Sequence, residues 1–292
     1  MRQFKSPYSD VNDRKFNTWC KWTKRLDTYG LGCEHDCKYC YAKSLLSFRN
    51  LWGKKPAVAN LSDISKSIKE LKTYDIIRLG KMTDCFQPIE LKKRVTYNTI
   101  LWLNKYKINY LIVTKSHHVM RDEYLKIYDP NLAHFQVTIT STDDMIALDY
   151  EKCSVISKRI KAIEKLQSLG FDVSVRLSPL IEKNIDFEIL NLIRCDKILV
   201  EFLKVNHWIK KWFNIDYSKY TLKYGGYSHL ELDEKIRILK YITGYDQISV
   251  GEYVLSHHEY FSEYVNHNPN DCCNLQLVHK PIITNNNQLS II

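Results

Sequence analysis

The stretch YGLGCEHDCKYCYAKSLL, Tyr29 to Leu46, carries Cys33, Cys37 and Cys40 in a C-x3-C-x2-C spacing and then runs into a helical pattern. Two thiols would make a disulfide, and four would close a zinc tetrahedron. Three thiolates on one loop hold three irons of a [4Fe–4S] cluster and leave the fourth open, and an open position on a metal is where a small molecule binds. Gly30 and Gly32 let the backbone approach closely and take positive φ. Two plainer readings of the same residues are a zinc site, completed by His35 or a distant ligand, and three unrelated buried thiols. Zinc loops usually show paired C-x2-C knuckles, whereas only one is present, and His35 sits too close in sequence to the cysteines to close a tetrahedron comfortably.

The chain has nine cysteines, an odd number that suits a reducing compartment better than a disulfide framework. Cys85 follows a polar stretch, and the vicinal pair Cys272–Cys273 lies near His267. Each is a candidate hydrogen-atom donor or a structural thiol. A second cluster would need Cys20, Cys153 and Cys195 to converge on the pair, and the last two fall in or beside expected helices.

The elements that must position these groups alternate short β-rich runs with helical ones. Strands are expected at 22–29, 74–80, 109–116, 134–141, 171–179 and 196–203, with a seventh at 247–252. Helices are expected between them, the clearest over 154–170, where apolar residues at 156, 160, 163 and 166 end at a glycine. Repeated βα units mean an α/β fold with a parallel sheet, and such sheets carry their chemistry at the C-terminal strand ends. Those ends are polar here: Lys81–Asp84, Thr114–Ser116, Thr140–Thr142, Arg176–Ser178 and Glu201. Residues 1–250 read as one domain with its core over 20–202 and an aromatic, lysine-rich loop over 203–229. Residues 251–292 read as a C-terminal tail without clear periodicity.

A formal net charge of +10 and a pI near 9.0 bear on solubility and partners rather than on fold. The loop FLKVNHWIKKWFNIDYSKY interleaves aromatics with lysines, a composition that stacks bases and neutralises phosphates or, equally well, makes a hydrophobic lid. No window is apolar enough for a membrane span, and no apolar leader is visible, so the expected location is cytoplasmic.

C-x3-C-x2-C with Tyr39 before the last cysteine resembles the signature of the radical S-adenosylmethionine (SAM) superfamily. The segments TDCFQPIE, LIVTKS, RDEYL, VTIT and RIKAIEKLQSLGFDVSVRLSPLI follow one another as in spore photoproduct lyase-like proteins, over roughly 26–181. The resemblance implies a partial (β/α)6 barrel with a C-terminal extension. It also implies a [4Fe–4S] cluster on Cys33, Cys37 and Cys40, and SAM chelated to the fourth iron and cleaved reductively to a 5′-deoxyadenosyl radical. An external electron donor of the flavodoxin or ferredoxin type would feed the cluster. On the same basis Tyr39 lies beside the adenine, and Thr83 and Asp84 face the methionine amino group. Lys115, Ser116, Thr138, Thr140 and Arg176 meet the carboxylate or ribose. In the relatives a Cys-Thr-Ser-Asp segment supplies a hydrogen-donating cysteine. Here Lys81-Met82-Thr83-Asp84 stands in its place with Cys85 after it, which argues against thymine-dimer cleavage. Three functions follow from the whole: radical chemistry on DNA, RNA or a nucleotide; the same chemistry on a peptide or small metabolite; or a non-catalytic Fe–S redox sensor or binding protein.

Overall fold

The computed structural model describes residues 3–4, 8–10, 24–80, 82–275, 282–283 and 289–290. Its centre is a sheet of seven parallel strands in chain order: β1 (Lys24–Leu26), β2 (Ile76–Leu79), β3 (Asn109–Thr114), β4 (Ala133–Ile139), β5 (Asp172–Leu180), β6 (Lys197–Phe202) and β7 (Gln247–Val250). Residues 8–10 add an antiparallel edge strand beside β1. Sequential order with helical crossovers is the open-barrel arrangement that the βα alternation implies. The seventh strand, expected from the QISVGE run, pairs with β6 from Lys197↔Gln247 to Val200↔Val250.

Strand alternation divides the sheet into two faces. Ile77, Leu79, Tyr110, Ile112, Phe135, Val137, Val173, Val175, Ile198 and Val200 face outward and form one core with the helices. Among those helices, α1 (Tyr41–Phe48) follows the cysteines, α2 (Leu61–Lys69) and α3 (Val95–Lys105) pack on one another, and α4 (Ile156–Ser168) covers β4 and β5. The inward positions are largely polar, including Arg78, Gln136, Thr138, Ser174, Arg176 and Glu201. Toward the strand N-termini they pair off: His134 Nδ1 lies 2.5 Å from the Asp172 carboxylate, whose other oxygen takes Lys197 Nζ at 2.6 Å.

The segment 203–229 is more ordered than a simple loop. It holds α5 (His207–Trp212) and an antiparallel hairpin, Leu222–Tyr224 with Tyr227–His229. After α6 (Leu232–Leu239) and β7, the tail forms α7 (Leu255–Tyr264) and then turns into the sheet's inner face. Cys273 and Leu275 pack against Ile76, Leu111 and Val113. Asp271 accepts from the Cys273 and Leu275 amides at 3.0 and 2.9 Å, and Lys197 Nζ donates to the Asn274 carbonyl at 3.2 Å. Residues 271–275 thus plug the bottom of the barrel. Among the described residues no helix is long and apolar enough to cross a membrane.

At the end of β2 the chain must turn sharply beneath β3. Gly80 does so with φ +84°, and a Cβ there would stand 2.5 Å from the Val113 carbonyl oxygen. Gly80→Ala combines left-handed strain with a backbone clash, and it should lower stability by about 2–3 kcal/mol in urea unfolding. A change under about 0.5 kcal/mol would mean that the turn relaxes at little cost.

Candidate active site

The cysteine loop is held from outside itself. A Cβ on Gly32 would lie 2.7 Å from the Gly53 carbonyl, so the close approach needs glycine there, whereas Gly30 is in a strand without positive φ. The Lys38 amide donates to the Tyr150 carbonyl at 2.8 Å, and the Lys152 amide to the His35 carbonyl at 2.7 Å. Two backbone bonds therefore zip the loop to the segment before α4. On the other side the Glu34 amide donates to Gln87 Oε1 at 2.9 Å. Cys40 caps α1, its Sγ accepting from the Lys43 amide at 3.3 Å, so the positive helix end faces a sulfur.

Cys33, Cys37 and Cys40 all open into a cavity of about 420 Å³ at the C-terminal ends of the strands. Its walls carry Arg25, Arg78, Lys115, Arg176 and Lys204 against Asp84, Glu201 and Glu252. Burial pushes the Cys33 thiol well up and Cys40 up to about 11. Cys37 is drawn below the ordinary thiol value, first by the hydrogen bond from Cys153 and against burial, with help from Lys115 and His35. Thiols become thiolates when they take a metal, and a cationic surround favours that form. Three uncrosslinked thiols on one wall of a cavity with surplus positive charge fit a [4Fe–4S] cluster. The remaining room, lined by Tyr39, Met82 and Thr83, suits a ligand on its open corner.

His35 closes no zinc tetrahedron. It is buried with Nε2 3.2 Å from the Asp84 carboxylate, and that carboxylate raises its pKa against the pull of burial. Asp84 also accepts from Thr114 Oγ1 at 2.7 Å, from the Phe86 amide at 2.8 Å and from the Lys115 amide at 2.6 Å. Burial works against the Asp84 carboxylate, but His35 and these donors bring its pKa down to about 2. Asp84 thereby ties the cysteine loop to the ends of β2 and β3.

A second carboxylate does the same on the opposite side. Glu151 is fully buried and accepts from Tyr39 Oη, from Thr140 Oγ1 at 2.8 Å and from Arg159, itself 1% exposed. Arg159 also donates to the carbonyls of Ser154 and Thr138 at 2.6 and 3.1 Å. Cys153 Sγ lies 3.8 Å from Cys37 Sγ.

The cavity brings together most of the residues expected from the sequence: the three cysteines, Tyr39, Thr83, Asp84, Lys115, Thr138, Arg176, Cys272 and Cys273. It leaves out three. Cys85 is 1% exposed, packed in the core behind β2. Ser116 caps the short helix at His117–Met120, accepting from the His118 amide. Thr140 turns away to Glu151 and Tyr150. Lys81 and Cys20 lie outside the described residues. Sequence reasoning passed over Glu151, Arg159 and Tyr253, took Lys204 only as part of the lysine-rich loop, and weighed Cys153 only as a ligand of a second cluster. Arg159 was within reach, because it lies on the same helical face as Ile156, Ile163 and Leu166, an odd place for a guanidinium. Glu151 and Cys153 sit in a turn, where no periodicity marks them.

Arg176 donates to Gln136 Oε1 and to Glu201, each at 2.5 Å, and Ser178 Oγ donates to Glu201 at 2.6 Å. Burial opposes the Glu201 charge, but Arg176, Ser178, Arg78 and Lys204 lower its pKa to about 2. A folded value below the unfolded one of about 4.3 stabilises the fold above that pH, and the contribution fades as pH falls through about 2. With a third of the side chain exposed, Glu201→Gln should cost only about 1–2 kcal/mol at about pH 7. In urea titrations the gap from wild type should close near about pH 2, and a pH-independent gap would show that packing, not charge, is lost.

Residues 28–195 match the radical SAM superfamily. The uncharacterized protein MJ0683 of Methanocaldococcus jannaschii is 31% identical over 163 residues, 54% of this chain and 61% of that protein's length. A single-residue variant of spore photoproduct lyase superposes with a TM-score of 0.63 at 16% identity, over 86% of this chain and 81% of the lyase. Another variant, with bound AdoMet and dinucleoside spore photoproduct, gives 0.58 at 17% identity over 85% and 79%. At such identities the lyase likeness speaks for the fold. The superfamily match takes in more than half of the chain, with the cysteine loop inside it, and the chain belongs to the radical SAM superfamily, whose cofactors are a [4Fe–4S] cluster and S-adenosylmethionine.

Proposed function

We propose that this chain is a radical SAM enzyme acting on a nucleic acid or nucleotide. The observation that carries the reading is a basic, aromatic groove whose rings pack against the wall of the cysteine cavity. The groove, about 580 Å³, runs between α5 and the 222–229 hairpin and is lined by His207, Lys210, Lys223, Tyr224 and Tyr227. Tyr227 lies 6.2 Å from Tyr253 between ring centroids, and Tyr253 lines the cysteine cavity. Lys204 sits over both rings, 4.5 Å from Tyr253 and 6.0 Å from Tyr227. Rings and ammonium groups in alternation suit bases and phosphates, and a nucleotide turned out of its stack can reach inward from such a groove. Spore photoproduct lyase, which shares the fold, has been crystallised with a dinucleoside.

The cluster and SAM supply the radical that takes a substrate hydrogen. The chain's own groups position and shield it. Cys33, Cys37 and Cys40 would hold the cluster, and the Tyr39 ring, with Lys115 Nζ 5.7 Å from that ring's centroid, would flank the adenine. Thr83 donates its hydroxyl hydrogen to the Tyr29 carbonyl and would keep lone pairs to accept from the methionine amino group. Asp84 acts by holding the loop, since four donors already face it. Lys115 is the group for the methionine carboxylate, because Arg176 is engaged by Gln136 and Glu201. Cys272, half-buried on the cavity wall, is the thiol to return a hydrogen atom to a substrate radical, and Cys85 is not. An external one-electron donor completes the system.

The test has two arms. With iron, sulfide, SAM and dithionite, anaerobic wild type should produce 5′-deoxyadenosine, and the Cys33→Ala, Cys37→Ala, Cys40→Ala triple variant should produce none. Wild type should bind a single-stranded oligonucleotide with an affinity that falls steeply with salt. Replacing Lys204, Lys210 and Lys223 by Gln should reduce the log–log salt slope by about 2. SAM cleavage with no salt-sensitive binding would move the substrate to a peptide or small metabolite. A fully iron-loaded protein without SAM cleavage would leave the sensor reading standing.

A further inference from the structure

One thiol stands closer to the ligand set than any role so far explains. Cys153 Sγ lies 3.8 Å from Cys37 Sγ, with the Glu151 carboxylate 3.9 Å from Cys37. The three ligating atoms sit within 4.8 Å of one another, which by distance alone resembles a metal site. The partners of Glu151 argue otherwise. Its oxygens are taken by Tyr39, Thr140 and Arg159, so the carboxylate is committed to holding the fold. Nor does the geometry suit Cys153 as a ligand of the fourth iron. Thiolates on separate corners of a cube point away from one another, so a sulfur in contact with Cys37 serves that ligand rather than another iron.

Once Cys37 binds iron it is a thiolate and has no proton to give. It then needs donors. Glu151, ionised against Arg159, can only accept. Cys153 is the neighbouring group that carries a proton on the atom facing the sulfur. Its placement is fixed by main chain, through the paired bonds from Lys38 to Tyr150 and from Lys152 to His35 that clamp its turn to the cysteine loop. We propose that Cys153 is a positioning residue that donates an S–H···S hydrogen bond to the cluster ligand Cys37 and raises the reduction potential of the cluster. A hydrogen bond to a ligand sulfur withdraws charge from it and so favours the reduced cluster, which bears one more electron. The electron then becomes easier to place.

The inference rests on the three cysteines being the cluster ligands and is independent of the substrate. Its test is a potentiometric titration of the reconstituted cluster, without SAM, followed by the electron paramagnetic resonance of the reduced form. Wild type is compared with Cys153→Ala and Cys153→Ser, each first assayed for iron, sulfide and far-ultraviolet circular dichroism. Cys153→Ala should load fully and titrate at a more negative potential. Cys153→Ser, whose hydroxyl still donates, should titrate nearer to wild type. In resonance Raman spectra an iron–thiolate stretch should move to higher frequency in Cys153→Ala and return in Cys153→Ser. Equal potentials for wild type and Cys153→Ala would overturn the proposal, as would a serine variant that shifts as far as alanine. Loss of iron from both variants would also overturn it, by making Cys153 a holder of the cluster. A wild type that takes up no iron would instead sink the assignment of the ligands.

Discussion

The ion pair between Glu151 and Arg159, each 1% exposed in its side chain, is the constraint on which the site depends. A buried carboxylate without a partner would be protonated or would drag water inward. Here burial pushes the Glu151 pKa up, yet Arg159 and Lys115 outweigh it and keep the group ionised. The charge then takes the remaining donors: Tyr39 from the cysteine loop and Thr140 from the end of β4. One anion thus connects α4, a strand end and the loop that carries the ligands. Breaking such a pair by removing one partner costs about 3–5 kcal/mol, because the other charge stays buried. A hydrophobic pair of equal volume could hold the helix as well, but it would not orient Tyr39.

The inner face of the sheet poses the same problem on a larger scale. Parallel strands buried on both faces are usually apolar throughout. In this chain the inward positions of β4, β5 and β6 are mostly polar, and several are paired within the barrel. His134, Asp172 and Lys197 satisfy one another near the bottom, and Gln136, Arg176 and Glu201 do so further up. The tail completes the scheme from below, with the Asn274 carbonyl taking a proton of Lys197 and Asn274 Nδ2 donating to Gln247 at 2.7 Å. Its apolar residues cover Ile76, Leu111 and Val113. The plug closes the bottom of the barrel and leaves the top for cofactors, and it carries Cys272 onto the cavity wall.

How much of this could be read beforehand follows from what kind of signal each part leaves. The strands left a strong one, because β-branched runs bounded by helical spacing have few other meanings, and all seven formed where expected. The cysteine loop left a stronger one, since its chemistry and its spacing lie in one short segment. The strand-end groups were legible as a set but not singly. Thr138 and Arg176 point into the barrel and Thr140 does not, for residues two apart on β4 share a face only while the strand stays regular, and β4 ends at Ile139. Tail residues 266–275 were illegible for a plainer reason. Their contacts reach strands more than a hundred residues upstream, and pairings of that range leave no local pattern. Cys153 was set aside for standing beside a helix, although the helix start is what brings it to Cys37.

Charge ties these pieces to the chemistry. Three thiolates brought into a closed space repel one another, and burial alone would keep them protonated, as the raised values of Cys33 and Cys40 show. The cavity answers with five Lys and Arg side chains against three carboxylates. Two of those carboxylates are spent locally, Asp84 on His35 and Glu201 on Arg176 and Ser178. The field that remains is positive, and low-dielectric walls concentrate it. It favours the thiolate form that metal binding needs, and it extends through Lys204 toward the aromatic groove. The thiols and the groove beyond them thus share one excess of cations.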